Sequence, residues 1–205
     1  MKFIIITMAG VLLCFACCPA IFAQQYVWKL SKDKDGIDVY QSNVANSNFK
    51  SIKVECTLEG NYEKLINIIT DVSHHKDWVY NNKTAYIINK FSPIDFYYYT
   101  ETYLPWPMSN RDAVVHEKID MDSLKRFLSV SEASEPAYIP EKDGIVRVPR
   151  SSVTWYVTMP TARTINITYI FDADPGGSIP ACFVNMCADK GPYESFKKLS
   201  EILKQ

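Results

Sequence analysis

Tyr97-Tyr98-Tyr99-Thr100-Glu101-Thr102-Tyr103-Leu104-Pro105-Trp106-Pro107-Met108-Ser109-Asn110-Arg111-Asp112 reads as an aromatic strand carrying one acid, followed by a Pro-Trp-Pro corner that opens on Arg-Asp. A tyrosine-rich strand suits the wall of a large cavity, because each ring brings apolar area and a hydroxyl that needs a partner when buried. Downstream, Asp172-Ala173-Asp174-Pro175-Gly176-Gly177-Ser178-Ile179-Pro180 forms a second unusual block and leads into a terminal amphipathic segment. Together the two blocks point to a pocket of lipid size.

The composition fits a globular protein. Of 205 residues, 47% are hydrophobic and 22% charged, enough for one domain with a substantial core. The 22 Lys and Arg are matched by 23 Asp and Glu and interleaved with them, so no basic stripe for nucleic acid is present. The N-terminus differs. Lys2 precedes an almost wholly apolar run from Phe3 to Cys18, and Ala23 offers a cleavage position before Gln24. Residues 1–23 therefore read as an export signal ahead of a domain at 24–205, which places the domain in the periplasm or outside the cell. An uncleaved anchor and lipid attachment at Cys17 or Cys18 are the other readings of the same run. Without it, Cys56, Cys182 and Cys187 remain, an odd set that reads as small buried hydrophobes.

Asp35-Gly36 marks a turn between short strands, and Ile52, Val54, Cys56 and Leu58 alternate with polar neighbours as a half-buried strand would. Asn61 can cap a short helix carrying Leu65, Ile66 and Ile69, and a second helical turn reaches Trp78. From Thr84 the period returns to two, and strands are expected over 84–91, 96–104, 112–120, 126–132, 145–149, 152–158 and 164–171. The longest irregular link, 134–144, contains Pro136 and Pro140 and, together with the helix beyond Pro192, reads as the gate. Residues 179–204 have helical spacing, with Ile179, Phe183, Met186, Tyr193, Phe196, Leu199 and Leu203 on one side. A kink is expected at Gly191-Pro192, since an interior proline costs about 3 kcal/mol in a straight helix.

Pro105-Trp106-Pro107-Met108-Ser109-Asn110-Arg111-Asp112, Gly144-Ile145-Val146-Arg147-Val148, and Asp174-Pro175-Gly176-Gly177-Ser178-Ile179-Pro180 with Val184-Asn185 stand in an order and spacing that resembles the START (steroidogenic-acute-regulatory-related lipid transfer) domains. Trp78 and Asp35-Gly36-Ile37 fit the same pattern, and the motifs are nearest those of the family's phosphatidylcholine carriers. The resemblance spans about residues 26–204. It implies an α+β helix-grip fold, in which a curved antiparallel sheet wraps the long C-terminal helix. It also implies one lipid in an internal tunnel, no cofactor or metal, transient contact with a membrane surface, and a monomer.

The resemblance places an acid matching Glu101 inside the cavity, paired with an arginine on the next strand; that position holds Glu117 here. Either Arg147 or Lys118 supplies the missing charge, or one acid stays protonated; a shifted register that leaves Glu117 solvated is the alternative. The carriers' phosphate-binding arginine and aspartate correspond to His75 and Val79, which puts phosphatidylcholine in doubt; His75 between His74 and Lys76 reads as part of a polar loop. Arg111 and Asp112 read as a fold-stabilising pair. The expected ligand-binding residues are Tyr97, Tyr99, Glu101, Tyr103, Glu117, Arg147, Trp155, Tyr169, Phe183 and Met186, with Trp106 and Tyr156 as further wall candidates. A carrier or sensor of one hydrophobic molecule is the leading reading. A helix-grip cyclase or hydrolase using Glu101, Glu117 and His116 is the alternative, although no nucleophile motif accompanies them. A module that docks a protein partner in an exposed groove is the third.

Overall fold

The computed structural model describes residues 26–122 and 126–205. The export signal read at 1–23 lies outside the described residues. Ten strands form one sheet: β1 (Lys29–Lys34), β2 (Ile37–Ser42), β3 (Ser51–Glu59), β4 (Asn82–Ser92), β5 (Asp95–Thr102), β6 (Arg111–Asp122), β7 (Phe127–Ser134), β8 (Val146–Arg147), β9 (Arg150–Thr161) and β10 (Thr164–Asp174). Nine of them pair antiparallel in the order β1-β2-β3-β10-β9-β7-β6-β5-β4, and β8 adds to β6 in parallel. The expected strands are all present.

Local chemistry explains the corners. Asp35 and Gly36 both adopt positive φ, 57° and 73°, as a two-residue hairpin turn between β1 and β2 requires. Helix α1 (Tyr62–Thr70) begins at Asn61, whose side-chain oxygen accepts from the Lys64 N–H at 2.9 Å. Leu65 and Ile69 point from it into the core, and a 3-10 turn at Val72–His74 leads to α2 (His75–Trp78).

One face of the sheet is covered by helices. Ile37 and Val39 of β2, Ile52 and Val54 of β3, Leu128 and Val130 of β7, Trp155 and Val157 of β9, and Ile165 and Ile167 of β10 all point to this inner face. Against them lies α4 (Lys190–Lys204), which buries Tyr193, Phe196, Leu199 and Leu203 at the spacing of one helix face. The Phe196 ring reaches Trp155 and Tyr169, each 5.2 Å away between centroids. This is the helix-grip arrangement, an antiparallel sheet closed by the C-terminal helix.

The terminal segment departs from the single bent helix in the expectation. A short helix α3 (Ala181–Met186) ends at Cys187, and α4 starts at Lys190. The break precedes Gly191-Pro192, because Pro192 is the third residue of α4, where its missing N–H would have no partner in any case. Helix α3 buries none of its residues. Cys182 and Cys187 are exposed and free, which corrects their reading as buried hydrophobes, whereas Cys56 is buried.

Candidate functional site

Register on β5 and β6 divides the expected site residues between the two faces of the sheet. Phe96 stands opposite Glu117, Tyr98 opposite Val115, and Thr102 opposite Arg111, all on the inner face. Tyr97 opposite His116, Tyr99 opposite Val114, and Glu101 opposite Asp112 stand on the outer face. The reading that put Tyr97, Tyr99, Glu101 and Tyr103 inside with Glu117 is therefore corrected: the inner set is Phe96, Tyr98, Thr100 and Thr102.

The outer face is fastened by its own partners. Glu101, only 5% exposed, accepts from Lys83 at 2.8 Å and from the Asn110 amide at 2.7 Å. Burial opposes its charge, yet these two donors hold its carboxyl below the usual range. Asp112 takes a two-pronged bond from Arg147, 2.7 Å from Nε and 3.1 Å from Nη2, with both side chains buried. Arg147 also donates to the carbonyls of Pro136, Ile139 and Pro140, so the link 134–144 is pinned as a strap. Along that strap, Tyr138 stacks on Tyr97 at 4.1 Å, His116 stacks on the same ring at 4.1 Å, and the Lys142 ammonium sits 3.6 Å from the Tyr99 ring centre. In this structure the segment read as part of the gate is tied to the outer face.

Arg111 and Asp112 do not pair with each other. Arg111 is committed to the carbonyls of Ser109, Pro175 and Gly176. Gly176 and Gly177 have φ of 65° and 66°, and a Cβ on Gly177 would come within 3.1 Å of Arg111 Nη2. The Arg-Asp and Pro-Gly-Gly motifs thus form one lock between β6, β8 and the end of β10.

The inner face carries a different kind of polar cluster. Glu117 on β6 stands directly opposite Glu132 on β7. The Glu132 carboxylate accepts from the Tyr98 hydroxyl at 2.8 Å and from the Trp155 indole N–H at 3.2 Å. Glu117 is 1% exposed, and neither of its oxygens has a hydrogen-bond partner among the described residues. Burial, with Glu132 beside it, pushes the Glu117 carboxyl well up; burial also raises Glu132, against the lowering effect of its two donors. Lys118 is exposed, pointing the other way, and Arg147 is spent on Asp112, so neither neutralises Glu117.

Around this pair the wall is aromatic. Trp155 meets Trp78 edge-on at 6.4 Å and Tyr169 at 4.9 Å. Tyr98 meets His75 edge-on at 5.6 Å. His75 is buried in α2, which corrects its reading as a polar loop residue; its Nε2 lies 2.7 Å from the Ile69 carbonyl, and burial lowers its pKa so the ring stays neutral. Glu132 and Tyr169 on this wall are half-buried, whereas Trp155 and Phe196 are buried. Two surface clefts, one of about 290 Å³ at Tyr62, Ile66, Met121 and Phe127 and one of about 460 Å³ beside Ile94 and Lys118, are lined by none of these residues.

Of the expected ligand residues, the structure brings together Glu117, Trp155 and Tyr169 on the inner face. Tyr97, Tyr99, Glu101 and Arg147 belong to the outer face, and Tyr103 is 51% exposed beyond the end of β5. Phe183 and Met186 are 60% and 70% exposed on α3, off the inner wall, and Trp106 and Tyr156 are also exposed. The enzyme constellation is split: Glu117 faces in, whereas Glu101 and His116 face out, His116 being 2.7 Å from Asp95. Reading the sequence missed Tyr98 and Glu132, although the alternation Leu128, Val130, Glu132 marks the latter as inward.

The START domain family matches residues 20–205. An uncharacterized protein of Pseudomonas aeruginosa is 30% identical, with 84% of each chain covered. The phosphatidylcholine transfer protein of Mus musculus is 27% identical over 80% of this chain and 78% of its own. The crystal structure of a STAR-related lipid transfer protein fragment from Xanthomonas axonopodis superposes with a TM-score of 0.80 at 30% identity, covering 87% of this chain and 99% of that one. With this fold, these motifs and a match across nearly its whole length, the chain belongs to the START domain family.

Proposed function

We propose that this protein is a non-catalytic lipid carrier or sensor that holds one hydrophobic molecule, a phospholipid, sterol or similar lipid, between the inner face of the sheet and helices α2 and α4. The observation that carries the reading is the aromatic inner wall of Trp155, Tyr169, Phe171 and Phe196 beneath α4, on which Tyr169 and Glu132 are only half-buried. Removing apolar surface from water contributes about 25 cal/mol per Å², so such a wall can hold a lipid without any reactive group. The apolar run from Phe3 and the small residue Ala23 support export, with the protein working as a monomer outside the cytoplasm. The exposed Phe183 and Met186 on α3 suit brief contact with a membrane surface during loading. Native mass spectrometry of protein purified from cells tests the reading: a co-purifying lipid is expected, and repeatedly empty spectra under gentle conditions would contradict it.

A further inference from the structure

The geometry points to a ligand whose polar group is an uncharged hydroxyl, selected at the Glu117–Glu132 pair, with phosphate-bearing lipids rejected there. This rests on the reading of the inner face as a lipid site and names the chemistry that the site selects.

Three observations carry it. Glu117 is 1% exposed with both oxygens unpartnered, on the face where the ligand would lie. A buried carboxyl left without a partner in the folded chain is costly and calls for one from outside it. Directly across from Glu117, Glu132 has only the neutral donors Tyr98 and Trp155 and no cation. A hydroxyl on the ligand can accept from a protonated carboxyl or donate to an ionised one, so it answers the Glu117 deficit in either state.

The charges around the pair disfavour a phosphate. Arg111 is spent on the carbonyls of Ser109, Pro175 and Gly176, and Arg147 on Asp112 at the outer face. His75 stays neutral against the Ile69 carbonyl. A phosphate placed at the pair would lie beside a carboxylate with no buried cation to offset it, which is the arrangement that rejects a partner. The Glu132 carboxylate already accepts from Tyr98 and Trp155, so a neutral ligand leaves the pair's single charge satisfied and adds none.

The test offers the purified protein vesicles containing dioleoylglycerol, dioleoylphosphatidylglycerol and dioleoylphosphatidylcholine at equal mole fraction, lipids that share both acyl chains and differ only at the third glycerol oxygen. Native mass spectrometry reads what is taken up. Dioleoylglycerol is expected to exceed each phospholipid by about tenfold or more. The double variant Glu117→Gln with Glu132→Gln is expected to narrow that ratio severalfold, while Glu101→Gln on the outer face leaves it unchanged. Equal or better uptake of either phospholipid by the wild type overturns the inference, as does a double variant, folded by circular dichroism, with the wild-type ranking. Displacement of bound dioleoylglycerol by oleylamine but not by oleyl alcohol overturns it too, because the pair would then be a counter-ion for an amine. If no lipid binds in any arm, the carrier reading itself fails, an outcome distinct from binding with the wrong ranking.

Discussion

The outer and inner faces of β5, β6 and β7 both bury carboxylates, but they treat them oppositely. Outside, Asp112 takes two bonds from the Arg147 guanidinium, and Glu101 meets the Lys83 ammonium and the Asn110 amide, all within 3.1 Å. Inside, Glu132 has only neutral donors and Glu117 has none. Burial alone therefore does not distinguish structural polar groups from binding ones. The outer acids are complete within the chain, and Asp112 through Arg147 holds the strap in place; the inner pair is incomplete among the described residues.

That contrast can be broken most decisively at Asp112. Removing it by Asp112→Ala leaves the Arg147 guanidinium buried without its counter-charge, so unfolding by urea should show a loss of about 3–5 kcal/mol. A loss well below that range would mean that the strap does not depend on the pair.

Glu117→Leu should do the reverse. It removes an orphaned carboxyl, and stability at alkaline pH should rise by about 1–3 kcal/mol. Because burial and Glu132 raise the carboxyl of Glu117 in the folded protein, the native state holds a proton that the unfolded chain has already released. Wild-type stability should therefore fall as pH climbs from the ordinary glutamate value of about 4.3 towards the raised native one. In the variant the pH profile should be flatter over that window. An unchanged profile, or lower stability at alkaline pH, would show that Glu117 is satisfied in solution.

Smaller effects sharpen the same contrast. Lys83 is 56% exposed at its side chain, so Lys83→Met should cost no more than about 1 kcal/mol and leave lipid uptake as it was. A changed lipid profile would move Glu101 into the binding site. Gly191→Ala should be the mildest, a gain of up to about 1 kcal/mol from helix propensity, since the added Cβ would meet Tyr80 at an ordinary 3.5 Å. Thermal unfolding resolves the sign.

Much of this architecture was legible in the chain. Strict alternation located the strands, Asn61 marked the start of α1, and Asp35-Gly36 announced its hairpin. The faces of β5 were not legible, because Phe96, Tyr97, Tyr98 and Tyr99 put aromatic rings on both sides, and polarity then cannot tell in from out. What buries the second side is the strap, a segment distant in sequence whose Tyr138 and Lys142 cover Tyr97 and Tyr99. Helical spacing likewise suggested burial for Phe183 and Met186, yet the break after Cys187 leaves them on a short exposed turn of helix. Glu117 could be placed inward from Val115 and Ile119 on either side, but its neighbour Glu132 required the pairing of β6 with β7.

Photo-crosslinking tests the division of faces most directly. Protein loaded with a lipid carrying a diazirine in one acyl chain should, after irradiation, give modified residues among Trp155, Tyr169, Phe171 and Phe196. Modification concentrated instead at Tyr97, Tyr99 or Tyr138 would place the ligand on the outer face and contradict the account.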